Sequence, residues 1–208
     1  LDSNPNDAMS RVIYAQLLGC LQRPDEAIKQ GQLAIELDPL NPIVNALYSQ
    51  VLSGTGDFEA ALDYTEKVTA VDPGNILANT GIELIAYYFG DYGKVMEAAK
   101  YVLPDKGVDF REVEKIYKEF GFVAAYEEVL HQLEVLAQKG YVQPIELVYR
   151  YMMVEQPDKA LEWIEKGFEA HDPVMPYLGT QGWHTESLFE DPRFIEFLQK
   201  MNLPLPKG

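Results

Sequence analysis

The stretch Arg23 to Pro39, RPDEAIKQGQLAIELDP, returns 34 residues later as Asp57 to Pro73, DFEAALDYTEKVTAVDP. The interval is 34 residues for Ala27 and Ala61, and it is the same for the closing prolines. Each copy is a short amphipathic segment that ends at an Asp-Pro pair. A fixed period of this length is typical of arrays in which helix pairs stack one on the next. The sequence therefore predicts an all-α repeat protein.

Composition narrows the classes of partner. The chain has 208 residues, and 17 basic against 33 acidic side chains give a net charge of −16. This charge disfavours binding to nucleic-acid phosphates and to anionic membrane surfaces. No apolar run approaches the ~18 residues of a membrane-spanning helix, and no signal segment opens the chain. We therefore expect neither nucleic acid nor membrane as a partner of this segment.

The single cysteine, Cys20, excludes an internal disulfide framework and cysteine-based zinc sites. We interpret it as a small apolar helix residue. One thiol and no signal segment fit a cytoplasmic location, and a periplasmic location stays open.

Three repeats follow the 34-residue register over residues 7–108. Capping residues mark where their helices begin: Asp7 suits a helix N-cap, as does Asn41 before Pro42. Ala27 and Ala61 are small, so we expect two helices to cross closely there. Glu83 stands where the first two repeats carry Ala15 and Ser49, so we expect packing to shift towards neighbouring small residues.

The ends of the chain depart from this register. Residues 1–6 read as the end of a preceding repeat, because Pro5 lies 34 positions before Pro39, and we expect the chain to be cut from a longer protein. Residues 109–171 predict two divergent helix pairs, the first opened by a capping-box-like Asp109 and Glu112. Residues 172–208 predict a C-terminal cap and tail. A short helix of about residues 192–201 would cover the end of the stack with apolar side chains, namely Phe189, Phe194, Phe197 and Leu198.

These residues resemble the tetratricopeptide repeat family over most of residues 7–171. The family pattern of Ala and Pro is met by Ala27 with Pro39 and by Ala61 with Pro73, whereas its Trp and Gly positions are not kept. The resemblance implies a right-handed α-solenoid of helix pairs with a C-terminal capping segment.

The C-terminal part is similar to the C-terminal end of proteins in a bacterial subgroup of that family. The similarity lies in the string GFVAAYEEVLHQLEVLAQKGYVQP and in the segments DKALEWIEKGFEAHDP and SLFEDPRFIEFLQKMNLP. In that subgroup the array follows a winged-helix, Ser/Thr kinase or nucleotide cyclase domain. The resemblance implies a regulatory module with an effector domain upstream of Leu1.

The family's concave groove is lined by the second, fifth, ninth and twelfth residues of each repeat's first helix. Carried onto this chain, these positions are Met9, Val12, Gln16, Gly19, Ile43, Ala46, Gln50, Ser53, Leu77, Thr80, Leu84 and Tyr87. The lining is apolar and neutral-polar. Val12 and Gln16 stand where some members carry the Lys and Asn that hold a peptide's C-terminal carboxylate. We therefore expect a peptide with apolar anchors rather than a carboxylate ligand.

No catalytic constellation is evident, so we expect neither an enzyme nor a cofactor or metal. His131, His171 and His184 are not at metal-ligand spacing, and acidic pairs such as Glu127-Glu128 are typical of a solvated helix face. We interpret Tyr87, Tyr88 and Phe89 as core residues.

Two functions remain as hypotheses. The first is a protein-interaction module that docks a peptide or partner domain in its groove. The alternative is a sensor domain whose groove holds a small ligand and controls an attached transcriptional or signalling domain. Self-association is compatible with either.

Overall fold

A computed structural model describes residues 6–180 and 186–205, in which all regular structure is helical. The eleven α-helices of this part are α1 (Ala8–Cys20), α2 (Pro24–Leu37), α3 (Pro42–Gly54), α4 (Phe58–Val71), α5 (Ile76–Tyr88), α6 (Tyr92–Asp105), α7 (Phe110–Phe120), α8 (Phe122–Ala137), α9 (Pro144–Met153), α10 (Pro157–Glu169) and α11 (Pro192–Lys200). Two short 3-10 helices, Met175–Gly179 and Glu186–Leu188, lie between α10 and α11. Within the described ranges, no helix combines the length and the apolar character that crossing a bilayer requires.

Consecutive helices pack as pairs, α1 with α2 and so on to α9 with α10. Within the first three pairs the leading helices also pack on one another, α1 on α3 and α3 on α5. The fold is therefore a helical-repeat solenoid, in which each pair buries its apolar face against its neighbours.

The 34-residue register is visible in the caps. The side chains of Asp7, Asn41 and Asn75 accept hydrogen bonds from backbone N–H groups in the first turns of α1, α3 and α5. Such bonds satisfy donors that a helix leaves unpaired at its N-terminus. The prediction of helix starts at Asp7 and Asn41 is confirmed, and Asn75 continues the series.

The turn between the two helices of each pair also repeats. Gln22, Gly56 and Gly90 are spaced by 34 residues, and all three have left-handed φ angles of 56°, 84° and 71°. Glycine occupies this position in the second and third pairs because it adopts a left-handed conformation without steric cost.

Small residues lie at the helix crossings as expected. Ala27 and Ala61 are fully buried in the core shared by the first repeats. A Cβ placed on Gly31 would lie 2.2 Å from the ring of Tyr48, so α2 and α3 could not pack at this distance with a larger residue there.

The capping box predicted at α7 forms only in part. The Asp109 side chain caps Arg111 N–H, as expected. The Asp109 N–H, however, donates to the side chain of Gln132 on α8 at 2.7 Å instead of to Glu112. Glu112 accepts from Lys115, so a tertiary contact replaces the reciprocal half of the motif.

The C-terminal helix covers the end of the stack, as predicted. Phe194 and Leu198 of α11 are fully buried, Phe197 is nearly so, and Phe189 is half-buried. A second contact was not expected: the segment Met175–Gly179 packs against α1, and the Gln22 side chain donates to the Gly179 carbonyl. The predictions for residues 1–5, 181–185 (with His184) and 206–208 lie outside the described residues.

Candidate binding site

A cavity of about 250 Å³ lies on the inner face of the solenoid, between the leading helices α1, α3, α5 and α9. Its walls combine aliphatic side chains with amide, hydroxyl and charged groups. They comprise Gln16, Leu47, Gln50, Thr80, Glu83, Leu84, Ile145, Glu146, Tyr149, Arg150, Met153, Val174 and Tyr177. A mostly apolar concavity with a few convergent polar groups is the usual form of a ligand site.

Four of the predicted groove residues line this cavity: Gln16, Gln50, Thr80 and Leu84. Gln16, Gln50 and Leu84 occupy equivalent positions of three successive repeats, 34 residues apart. The ninth position of the leading helix therefore supplies one side chain from each of the first three repeats.

The other predicted groove residues lie elsewhere. Val12 and Ala46 are fully buried between helices, and Ser53 is also buried. Met9 and Leu77 are half-buried, whereas Ile43 is 49% exposed. Tyr87 packs its ring against Tyr92 and Phe122. Gly19 lines a separate, small cavity of about 20 Å³ next to Gln16 and Gln50.

The two glutamines form a hydrogen-bonded pair. Gln16 Nε2 donates to Gln50 Oε1 at 2.7 Å. Gln16 is only 8% exposed, although it is one of the residues that line the cavity. Among the described residues, neither the Gln16 amide oxygen nor the Gln50 amide nitrogen has a further hydrogen-bond partner. The pair therefore presents a free carbonyl oxygen and a free NH₂ group, together with the second N–H of Gln16.

The charged wall of the cavity is a buried ion-pair network. Arg150 and Glu83 are 3% and 2% exposed, and their side chains lie 3.4 Å apart. Arg150 Nη1 also donates to the carboxylate of Glu146 at 2.6 Å, and Lys106 lies 3.3 Å from the other oxygen of that carboxylate. Tyr126 O–H donates to Glu83 Oε1 at 2.7 Å. These groups tie α5, α6, α8 and α9 together.

The environment shifts the pKa values of the two carboxyls in opposite directions. Burial raises the pKa of Glu83 above its ordinary value, although Arg150 and Tyr126 oppose this shift. Burial acts the same way on Glu146, but the nearby charges of Arg150 and Lys106 outweigh it and its pKa is lowered. Burial acts to lower the pKa of Arg150, but the charges of Glu83 and Glu146 outweigh it and raise the pKa above its ordinary value, so Arg150 stays charged.

The helix α9 lies within the two divergent pairs predicted for residues 109–171, but its place in the site was not predicted, because the strict period fails after residue 105. A signal was available: PDKAL at 157–161 echoes PDEAI at 24–28, an offset of 133 residues. By this offset, Ile145 on α9 is equivalent in sequence to Val12 on α1, and Tyr149 is equivalent to Gln16. Both Ile145 and Tyr149 line the cavity. Val174 and Tyr177 carry no comparable signal, because the segment after α10 is not a repeat.

Other candidate features lie away from this cavity. The prediction that Tyr88 and Phe89 are core residues is wrong: both are half exposed, and they lean on Phe58 of α4. His131 and His171 are exposed, and the described residues contain no cluster of three or more His, Cys, Asp or Glu placed to hold a metal ion. Cys20 is buried, and burial raises the pKa of its thiol to about 11.

Comparisons with known proteins add no family and no relative to these observations. No protein-family model matches the chain, and no curated protein matches it either.

Proposed function

We propose that this chain is a non-enzymatic binding module that docks a peptide or a partner domain on its inner face. The observation that carries the proposal is the cavity between α1, α3, α5 and α9, where equivalent residues of successive repeats converge. Stacked repeats commonly use such an inner face for recognition. The cavity is deep enough for a side-chain anchor, and partner recognition concentrates binding energy in such anchors.

The electrostatics of the site support a largely uncharged ligand. Arg150 is paired with Glu83 and Glu146, and Lys106 shares Glu146. The two cations and two carboxylates of this wall balance, so the wall carries no excess positive charge for a ligand carboxylate. The buried Nε–H of Arg150 is the one side-chain donor here that has no hydrogen-bond partner among the described residues. Basic groups outside the pocket on the partner would still be attracted by the net charge of −16.

The proposal is tested by comparing proteins retained from host lysate by the wild-type chain and by a Gln50→Arg, Thr80→Arg double variant. Both positions line the cavity and are half-buried, so the new side chains enter the site without replacing core residues. The matched control carries Ala70→Arg and Gln199→Arg, two exposed positions on α4 and α11. A partner kept by the wild type and control and lost by the double variant supports the proposal, whereas a partner kept by all three contradicts it.

A small-ligand sensor is the second candidate, and one observation favours it. Val174 and Tyr177, from the segment that packs on α1, form one side of the cavity and narrow it to about 250 Å³. This volume is slightly below the ~300–1,000 Å³ range of small-molecule pockets. A metabolite that raises the melting temperature of the wild type but not of the double variant would favour a sensor, since ligands that bind the folded state stabilise it.

We propose further that the array is a tetratricopeptide-type module of a larger bacterial regulatory protein. The support is the 34-residue register and the similarity of the C-terminal segments described above. On this proposal, the docked partner or ligand would bias an attached effector domain.

A further inference from the structure

The Gln16–Gln50 pair has the hydrogen-bonding character of a single amide group. One bond joins the two side chains, which leaves the Gln16 oxygen as an acceptor and the Gln50 NH₂ group as a donor, together with the second N–H of Gln16. Exchanging the oxygen and nitrogen assignments of both amides leaves an equivalent set of free groups. A ligand that satisfies the free oxygen and the free NH₂ group offers both a donor and an acceptor, as a peptide or carboxamide group does.

The pair lies beside an apolar space. Leu47, Leu84, Ile145 and Met153 share the cavity wall with the two glutamines. A partly buried amide gains from a partner because an unsatisfied polar group next to an apolar wall is costly. The small cavity on the other side of the pair, about 20 Å³, has room for roughly one water molecule. The larger cavity is therefore the one that can hold a ligand group.

The paired charges of the wall exclude the other plausible chemistry. A ligand carboxylate would lie near Glu83 and Glu146, whose charges balance those of Arg150 and Lys106, and only the buried Arg150 Nε–H lacks a partner there. A ligand ammonium would meet Arg150 at the same wall. Neutral hydrogen bonding with an apolar body is the combination that the cavity matches.

We infer that the cavity binds an internal stretch of peptide, with a branched apolar side chain among Leu47, Leu84 and Ile145 and its uncharged amide group on Gln16 and Gln50. The inference rests on the proposed binding function, and it specifies the chemical class that the site selects. An internal segment is required because a free chain terminus would add a charge to a wall whose two cations and two carboxylates balance.

Three small probes test the inference on the full chain labelled with ¹⁵N. N-acetyl-L-leucinamide carries the apolar group and neutral amides, N-acetyl-L-leucine replaces the terminal amide with a carboxylate, and 3-methyl-1-butanol has the branched group with one hydroxyl in place of the amides. We expect N-acetyl-L-leucinamide to bind about fivefold or more tightly than either other probe, since one or two neutral hydrogen bonds contribute on this scale. It should also shift the side-chain NH₂ signals of Gln16 and Gln50.

A Gln50→Leu variant distinguishes recognition of the ligand's amide group from burial of its apolar group alone. The amide preference should fall below about twofold in this variant, while binding of the alcohol is unchanged or tighter. Gln199→Leu, at an exposed position, should keep the full preference. The inference is overturned if the carboxylate binds as tightly as the amide, if Gln50→Leu keeps the preference, or if no probe binds. Lysate partners lost specifically by the Gln50→Arg, Thr80→Arg variant would leave the binding function standing in each of these cases.

Discussion

Arg150 on α9 and Glu83 on α5 lie 67 residues apart in the chain, yet their side chains meet at 3.4 Å on the inner face of the solenoid. Both are nearly completely buried, and Tyr126 from α8 completes the contact with a hydrogen bond to Glu83. This relationship joins the regular repeats to the divergent C-terminal pairs and forms one wall of the candidate site.

Removing the carboxyl of Glu83 should destabilise the fold strongly. Glu83→Ala leaves Arg150 buried with one carboxylate fewer, and breaking a buried pair typically costs about 3–5 kcal/mol. Chemical denaturation measures the loss. Glu127→Ala, at an exposed position of α8, is the control and should change stability by less than about 0.5 kcal/mol. Equal losses in the two variants would contradict the assigned role of the network.

Glu83 should also give the stability a distinctive pH dependence. Because burial raises its folded-state pKa, Glu83 favours the folded state below the ordinary Glu pKa of about 4.5, and this contribution is lost as pH rises through the raised value. Glu83→Gln removes the titration, so the stability deficit of the variant relative to wild type should shrink as pH increases from about 4.5.

The neighbouring carboxyl, that of Glu146, should give the stability the opposite pH dependence. Glu146 has a lowered pKa, so its contribution is present above the ordinary Glu value and is lost as pH falls through the lowered one. In denaturation experiments over pH 3–8, the stability deficit of Glu83→Gln relative to the wild type should therefore shrink as pH rises, whereas that of Glu146→Gln should grow. Parallel pH profiles for the two variants would contradict the assigned directions.

The helix crossing at Ala61 should not tolerate a larger side chain. Ala61 is fully buried, and its carbonyl accepts a hydrogen bond from Ser49 of α3 at 2.8 Å. Ala61→Leu should lower the free energy of unfolding by about 1–3 kcal/mol through overpacking. Ala70→Leu, at an exposed position on the same helix, serves as the control. An unchanged melting temperature for Ala61→Leu would mean that the helix faces are misplaced.

A buried asparagine secures the loop between repeats two and three. The side-chain amide of Asn79 donates to the carbonyls of Pro73 and Asn75, and Asn45 makes the equivalent bonds to Pro39 and Asn41. Asn79→Ala should cost about 1–3 kcal/mol, because it removes two hydrogen bonds that tie the loop to α5, each contributing about 0.5–1.5 kcal/mol. The exposed change Gln199→Ala provides the comparison in thermal denaturation, and a loss no larger than in this control would argue against the tie.

The regular half of the fold follows from short-range chemistry, and the sequence predicts it well. Asp7 and Asn41 stop and start helices through bonds to residues within the next turn, and Ala27 and Ala61 mark crossings within one repeat. Such signals recur at a fixed period, so each copy supports the interpretation of the others.

The rest of the site depends on how far the solenoid curves, which no local pattern encodes. Glu83 stood out in the sequence as a misfit among small residues, but its partner Arg150 is identifiable only once α9 is placed against α5. The same applies to Val174 and Tyr177, which reach the cavity because the segment after α10 returns to α1.

Photo-crosslinking from the cavity tests the central claim, that this inner face binds a partner, most directly. The aromatic crosslinker p-benzoylphenylalanine replaces Tyr177, which is half-buried and lines the cavity, in the protein expressed in its host. The matched control replaces Tyr101, a half-buried tyrosine on α6 away from the cavity. We expect a discrete adduct with a partner polypeptide from position 177 and none from position 101. The same adducts from both positions, or an adduct from position 101 alone, would contradict it.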